Sequence, residues 1–231
     1  MTAQTPFPPS SAQNSDQNPD QNPDQNPDQN PDQSSGLSST AWEQRYQAGT
    51  PRWDLGQPAP AFKALLESAD APQVGSAIAL GAGRGHDALF FAQQGFTVTA
   101  VDFAPSAIAA LGQQAQAQNL SVQLLQRDIF ELVPEFAGQF SYVIEHTCFC
   151  AIDPALRPAY AQLAADLLAP GGELLAVFFT HQRSGGPPFG TTPAAVRQLF
   201  APHFEVIALE PVTNSISSRR GEEHWGWLRK R

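Results

Sequence analysis

From residue 40 onward, short and nearly continuous apolar runs alternate with longer stretches in which apolar residues recur every third or fourth position. The runs predict strands over Ala77–Gly81, Thr97–Asp102, Val122–Arg127, Phe140–His146, Glu173–Thr180, Phe204–Glu210 and Trp225–Arg229. The periodic stretches predict helices over Thr40–Gln47, Pro60–Ser68, His86–Gln94, Pro105–Gln118, Pro154–Leu168 and Pro193–Ala201. Pro105, Pro154 and Pro193 each stand where a helix begins, a position that tolerates proline because its N–H would lack a partner anyway. Gly171-Gly172, after Leu167-Leu168-Ala169-Pro170, marks a helix end before a strand. Strands alternating with helices predict an α/β fold: a mostly parallel sheet joined by right-handed crossovers, with helices on both faces. The last two runs have no helix between them, which predicts a hairpin and hence an antiparallel strand at the sheet edge.

One unit of this pattern carries chemistry. The first apolar run enters Gly81-Ala82-Gly83-Arg84-Gly85, a helical stretch follows, and the second run ends on Asp102. Glycines let backbone N–H groups approach a ligand closely, and a helix N-terminus favours a negatively charged group. An acid at the tip of the second strand suits the two hydroxyls of a ribose, so a nucleoside-bearing cofactor is expected. A dinucleotide fingerprint would place its third glycine at position 86, where this chain has His86. The GxGxG spacing of Gly81, Gly83 and Gly85 is the form commoner in S-adenosylmethionine enzymes. The remaining readings are a nicotinamide cofactor or a glycine turn that binds nothing. Ligands of parallel sheets bind at the carboxyl ends of the strands, where Gly81, Asp102, Asp128 and Glu145 all fall.

Composition narrows the setting. Of the 231 residues, the first 40 are nearly all Gln, Asn, Pro, Asp, Ser and Thr, with QNPD repeated in tandem over Gln17–Asp32. Such a segment has too little apolar surface to offset the entropy of ordering it, so residues 1–40 are expected to be a disordered acidic tail and 41–231 a single domain. The tail carries five of the nine net negative charges. No basic stripe argues for nucleic acid, no apolar run reaches the ~20 residues of a membrane span, and the N-terminus lacks a signal peptide's apolar stretch. Two cysteines, Cys148 and Cys150, are too close for an ordinary disulfide, and alternation would place both on one face of a strand. A reducing, cytoplasmic setting follows, and no metal site is expected from so sparse a ligand set. A monomer is expected.

Other candidate residues cluster at the predicted strand ends. Asp128 can accept a hydrogen bond from an adenine amino group while Ile129 packs on the ring; equally, Asp128 can cap the next helix. Glu145-His146-Thr147 would open onto the cofactor's reactive end. There His146 is a candidate base, a pocket wall, or a structural histidine bonded to backbone. Trp42 and Tyr46 share a helix face and, with Trp53, can either roof a cationic sulfonium or pack a helix on the sheet. The loop 181–190, HQRSGGPPFG, reads as a pocket wall or a plain connection. Arg219 and Arg220 sit in a sequence expected to form a hairpin turn, SSRRGEE, where they either reach an anionic substrate or stay solvated.

WEQRYQAGTPRWDLGQPAP, ALGAGRGHDALFFAQQGFTVTAVDFAPSAI, IEHTCFCAIDPALRPAYA, LLAPGGEL and GGPPF together resemble the thiopurine S-methyltransferase superfamily, nearest its thiol and halide (thiocyanate) methyltransferase branch. The resemblance runs in order over about residues 41–231. It implies a Rossmann-like, seven-stranded S-adenosylmethionine-dependent methyltransferase fold with an N-terminal lid, and S-adenosylhomocysteine as product. It implies cofactor contacts at Trp42, Tyr46, Trp53, Gly81, Asp102, Asp128, Ile129 and His146; Gly83 in the turn and Glu145 at the strand end are further cofactor candidates, and Phe149, Phe179, Pro188 and Phe189 are the candidate substrate pocket. The acceptor it implies is a small soft nucleophile: a thiol, hydrosulfide, thiocyanate or halide, or an aryl thiol of the thiopurine kind. The chain departs from the halide branch, which usually has Tyr at the positions of His146 and often of Phe179. Thiopurine enzymes tend to have Arg in place of His146. A nicotinamide-dependent oxidoreductase and a non-catalytic cofactor-binding protein are the rival classes.

Overall fold

The computed structural model describes residues 37–49 and 51–231. The QNPD repeats lie outside the described residues. The first helix, α1 (Ser39–Gln47), begins within the segment assigned to the tail, capped by Ser38, whose Oγ accepts from Ala41 N at 3.2 Å. It is followed by α2 (Pro60–Leu66), β1 (Ser76–Leu80), α3 (His86–Gln93), β2 (Thr97–Asp102), α4 (Pro105–Ala117) and β3 (Val122–Gln126). Then come α5 (Val133–Phe136), β4 (Phe140–His146), α6 (Arg157–Leu167), β5 (Leu168–Phe179), α7 (Pro193–Phe200), β6 (Phe204–Pro211) and β7 (Glu223–Lys230).

The strands form one seven-stranded sheet in the order β3-β2-β1-β4-β5-β7-β6, parallel except for β7. The expected hairpin is there, with one difference. Its antiparallel strand, β7, lies one place in from the edge, between β5 and β6, and β6 is the edge. Central strands are buried on both faces, and alternation divides their side chains. Ile78 and Leu80 of β1 face α5, α6 and α7, among Phe136, Tyr160 and Phe200. Ala77 and Ala79 face α2, α3 and α4, among Phe62, Phe91 and Leu111. A fully buried Phe such as Phe62, Phe91 or Phe178 contributes about 1.5–3 kcal/mol of transfer free energy. The edge strand β3 has no fully buried residue, and Gln123 and Gln126 are exposed.

Helix α4 shows how the local rules combine. Pro105 occupies its first turn, Ala107, Leu111 and Ala115 recur every four residues on its buried face, and Asn119 at φ 53° ends it in the left-handed region. The start of β5 differs from expectation. Ala169-Pro170-Gly171-Gly172 does not separate helix from strand; pairing already begins at Leu168 opposite Phe140, with an irregularity in register before Glu173. No helix among the described residues is long and apolar enough to cross a membrane.

Candidate active site

The carboxyl ends of the parallel strands open into a cavity of about 900 Å³, within the range of small-molecule and cofactor sites. Gly81 follows β1, and its φ of +59° and the Cys148 Sγ that would lie 2.7 Å from a Cβ both require glycine. Gly85 is required for a different reason: a Cβ there would stand 2.2 Å from Leu111 Cγ, so this glycine lets α3 pack on α4 and has no part in the wall. Asp102, at the end of β2, is buried and lines the cavity. Its Oδ2 accepts from Gly83 N and its Oδ1 from Ala104 N, each at 2.9 Å. Each oxygen keeps a second lone pair. Burial pushes this carboxyl up, and the backbone N–H groups of Ala104, Gly83 and Phe103 pull it back. Gly83 touches the site through that bond and does not line the cavity. Asp128 acts as the expected cap: its Oδ1 accepts from Phe130 N (3.0 Å) at the start of the 3₁₀ turn Ile129–Glu131, and it also lines the cavity beside Ile129.

Residues of α1 and of the segment after it form one side of the cavity. Trp42, Arg45, Tyr46 and Trp53 all line it. Trp53 meets Trp42 edge-on (4.9 Å between ring centroids) and Tyr46 likewise (5.6 Å), a favourable aromatic geometry. The Arg45 guanidinium lies 4.4 Å over the Trp42 ring. Burial, with the Asp102 charge adding to it, pushes the Tyr46 phenol up, so it stays a hydroxyl. Two carboxylates tie this lid down. Glu43 accepts from Ser106 N (2.9 Å) and from Ser106 Oγ at the start of α4. Asp54 lies 2.9 Å from His86 Nε2 and accepts from Arg84 Nη1 at 3.0 Å and Gly56 N at 2.8 Å. The His86 ring at 2.9 Å, then the Gly56 N–H and the Arg84 charge, hold the Asp54 carboxyl down at about 2.

The other end of the cavity is made by the residues after β4 and β5 and by the β6–β7 connection. Strand β4 stops at His146, so Cys148 and Cys150 lie in a turn and not on a strand face, and both line the cavity as free thiols. Thr147, at φ 66°, turns the chain there, a position that costs a β-branched residue strain. That turn sends Phe149 down into the core against Tyr160, Phe178 and Phe200, so Phe149 is no part of the pocket in which it was expected. Phe189 is also behind the wall, its N–H donating to Cys150 O at 2.7 Å; Pro187, Pro188, Phe179 and Arg183 form the wall instead. Burial pushes the Cys150 thiol up to about 12 and the Cys148 thiol up as well, so both stay protonated and weakly nucleophilic.

Glu145 is fully buried and does not reach the cavity. Its Oε1 accepts from Phe149 N at 2.9 Å and its Oε2 from the Tyr160 hydroxyl, which fixes the turn that carries the two cysteines. Burial pushes its carboxyl up to about 7. His146 also lies behind the wall. Its Nδ1 is 2.7 Å from Asp87 Oδ2 and its Nε2 is 3.0 Å from Arg219 Nη1. A base needs a free lone pair facing the acceptor, and this one faces a guanidinium. Arg219 itself lines the cavity, 6 % exposed, with Nη1 also 3.2 Å from Glu223 Oε1 and Nη2 donating to Trp53 O at 2.7 Å. Its guanidinium is 5.5 Å from the Phe179 ring centroid. Sequence reasoning left Arg219 undecided because two of its three partners, His146 and Trp53, are 73 and 166 residues away in the chain. The neighbouring Arg220 is the exposed one.

A mostly parallel sheet with this strand order, a glycine turn after its first strand and a buried acid ending its second, is the Rossmann-like fold of S-adenosylmethionine-dependent methyltransferases. The fold is shared with 1,6-didemethyltoxoflavin-N1-methyltransferase of Burkholderia thailandensis, solved with 1,6-didemethyltoxoflavin and S-adenosylhomocysteine. The TM-score is 0.70 at 22% identity, covering 87% of this chain and 90% of that one. Among curated proteins, "Probable thiol methyltransferase 2" of Arabidopsis thaliana is 33% identical over 199 residues, 84% of this chain and 86% of its own length. "Thiocyanate methyltransferase 1" of Brassica oleracea is 29% identical over 195 residues, 82% and 84% of the two lengths. The thiopurine S-methyltransferase (TPMT) family model matches residues 37–230. The chain belongs to the thiopurine S-methyltransferase family and is an S-adenosylmethionine-dependent methyltransferase, not a nicotinamide-dependent oxidoreductase.

Proposed function

We propose that the enzyme methylates a small, soft sulfur nucleophile held as its anion at the Arg219 end of the cavity. The observation that carries this reading is the buried guanidinium of Arg219 in the wall, beside Phe179 and below Trp53. Three of its five N–H donors are taken by His146, Glu223 and Trp53, which leaves two for a ligand. Although the chain carries a net charge of −9, the cavity wall has Arg45, Arg52, Arg127, Arg183 and Arg219 against Asp102, Asp128 and Asp153. A thiol with an ordinary pKa of about 8.5 loses its proton more readily beside such a charge. The relatives named for thiol and thiocyanate methylation support the same acceptor class.

The cavity fits the family's cofactor on three counts: the close backbone approach at Gly81, the Asp102 carboxylate in the wall, and the aromatic roof. Asp102 would hold the ribose hydroxyls, Asp128 and Ile129 the adenine, and Trp42, Tyr46 and Trp53 the sulfonium end. S-adenosylmethionine, when bound, supplies a methyl group on a cationic sulfur, already activated for displacement. The chain then has to align the acceptor and exclude water. The roof and the apolar wall of Ile152, Leu156, Phe179 and Pro188 exclude water, and Arg219 aligns the acceptor's charge. No protein base is needed for an acceptor that arrives as an anion. The same apolar wall favours an aryl or alkyl thiol over a halide. The test is to supply S-adenosylmethionine with an aryl thiol, hydrosulfide, thiocyanate and iodide and to follow S-adenosylhomocysteine formation. Turnover is expected with the thiol first; absence of product from all four overturns the acceptor class.

A further inference from the structure

The contacts of His146 on both ring nitrogens give it a definite task. Asp87, in the first turn of α3, is anchored by accepting from Ala59 N at 2.7 Å through Oδ1, and its Oδ2 lies 2.7 Å from His146 Nδ1. A carboxylate only accepts, so Nδ1 carries the hydrogen. On the far side of the ring, Nε2 is 3.0 Å from Arg219 Nη1. A guanidinium only donates, so Nε2 is the acceptor. The two neighbours together select the neutral Nδ1–H tautomer, in the way a carboxylate fixes the tautomer of a metal-binding histidine. The ring is held edge-on to Phe62, with 6.3 Å between centroids. Its side chain is 9 % exposed, and it is absent from the cavity wall while Arg219 is present there.

We infer that His146 is a positioning residue: with its tautomer set by Asp87, its Nε2 aims the Arg219 guanidinium at the acceptor. This rests on the proposed acceptor role of Arg219. It links the helix that opens at the glycine turn to the β6–β7 connection through three side chains. Glu223 and the Trp53 carbonyl accept from the same guanidinium, one donor each. The ring of His146 is thus a spacer whose lone pair is spent on the protein and not on the substrate.

Two readouts test it. In long-range ¹H–¹⁵N spectra of the wild-type protein, the His146 signals, assigned by their loss in His146→Gln, should show the Nδ1–H neutral tautomer. Asp87→Asn should convert them to a mixture, because an amide can donate as well as accept. In kinetics with an aryl thiol, His146→Gln keeps an acceptor near the Nε2 position. It should leave the thiol KM within about threefold and the shape of the pH–rate profile unchanged. His146→Leu removes the acceptor and should raise the thiol KM about tenfold or more, with kcat and S-adenosylhomocysteine affinity little changed. An Nε2–H tautomer overturns the inference. So does a thiol KM in His146→Leu equal to that of wild type, or a His146→Gln variant that loses about 100-fold in rate together with a pH inflection, which would make His146 the base. Failure of the wild type to methylate any thiol would sink the acceptor reading instead, and the tautomer would then decide the inference by itself.

Discussion

At the ends of β1 to β3 the cavity wall is drawn from residues 81–129, with Gly81 and two carboxylates bonded to nearby backbone, beside Phe103, Arg127 and Ile129. At the ends of β4 and β5 the wall depends on Arg219, whose partners come from Trp53, His146 and Glu223. The first half is set by local chain geometry: the φ of Gly81 and the N–H groups of Gly83 and Ala104 that hold Asp102. The second half is a side-chain network that exists only when the lid, the sheet and the β6–β7 connection are all in place.

Breaking the network should have the largest effect. Arg219→Met leaves Glu223, 3 % exposed, as an unpaired buried carboxylate, which costs about 3–5 kcal/mol of stability. Denaturant unfolding should register that loss. The double variant Arg219→Met, Glu223→Leu should recover most of it without recovering thiol turnover, because the apolar pair removes the stranded charge but supplies no donor. Recovery of both would show that Arg219 is structural only.

A smaller loss is expected from Gly85→Ala. Its methyl group would meet Leu111 at 2.2 Å and its φ of +83° disfavours any side chain; overpacking of this kind costs about 1–3 kcal/mol. Because Gly85 serves packing, cofactor affinity of the folded variant should change little. A large loss of affinity with unchanged melting would assign Gly85 to the ligand.

The gentlest contrast is in pH. Glu145 ionises at about 7 when folded and at 4.5 ordinarily. The folded state therefore binds its proton more tightly, and the stability this group contributes is complete below 4.5 and lost as pH rises to about 7. Asp54 has the opposite sign: held at about 2 instead of 3.8, it stabilises above 3.8, and that contribution is lost as pH falls to about 2. Melting temperature followed from pH 4.5 to 7 should decline in wild type and less so in Glu145→Gln. Parallel curves would show that Glu145 ionises normally.

The same contrast explains what could be read in the sequence. The strand-turn-helix unit from Ala77 to Asp102 was legible because every constraint on it is local: apolar runs, glycines at positive φ and a terminal acid. Trp42, Tyr46 and Trp53 were legible as a cluster through helical spacing and composition, and all three line the cavity. Phe149 was misassigned because nothing in TCFCAI announces that Thr147 adopts a left-handed backbone and exchanges which side chains face inward. The inward place of β7 was hidden because a hairpin at an edge can be laid down in either order, and pairing of β7 with β5 settles it. Arg219 and Arg220 are adjacent and alike in sequence; only partners far along the chain separate the buried one from the solvated one.

Calorimetric titration of S-adenosylhomocysteine into wild type and Asp102→Ala tests most directly whether the cofactor lies across the ends of β1 to β3. Loss of two ribose hydrogen bonds should weaken binding by about 1–3 kcal/mol, with the fold retained. Equal affinity in the two proteins, or no uptake by wild type, would contradict this placement of the cofactor.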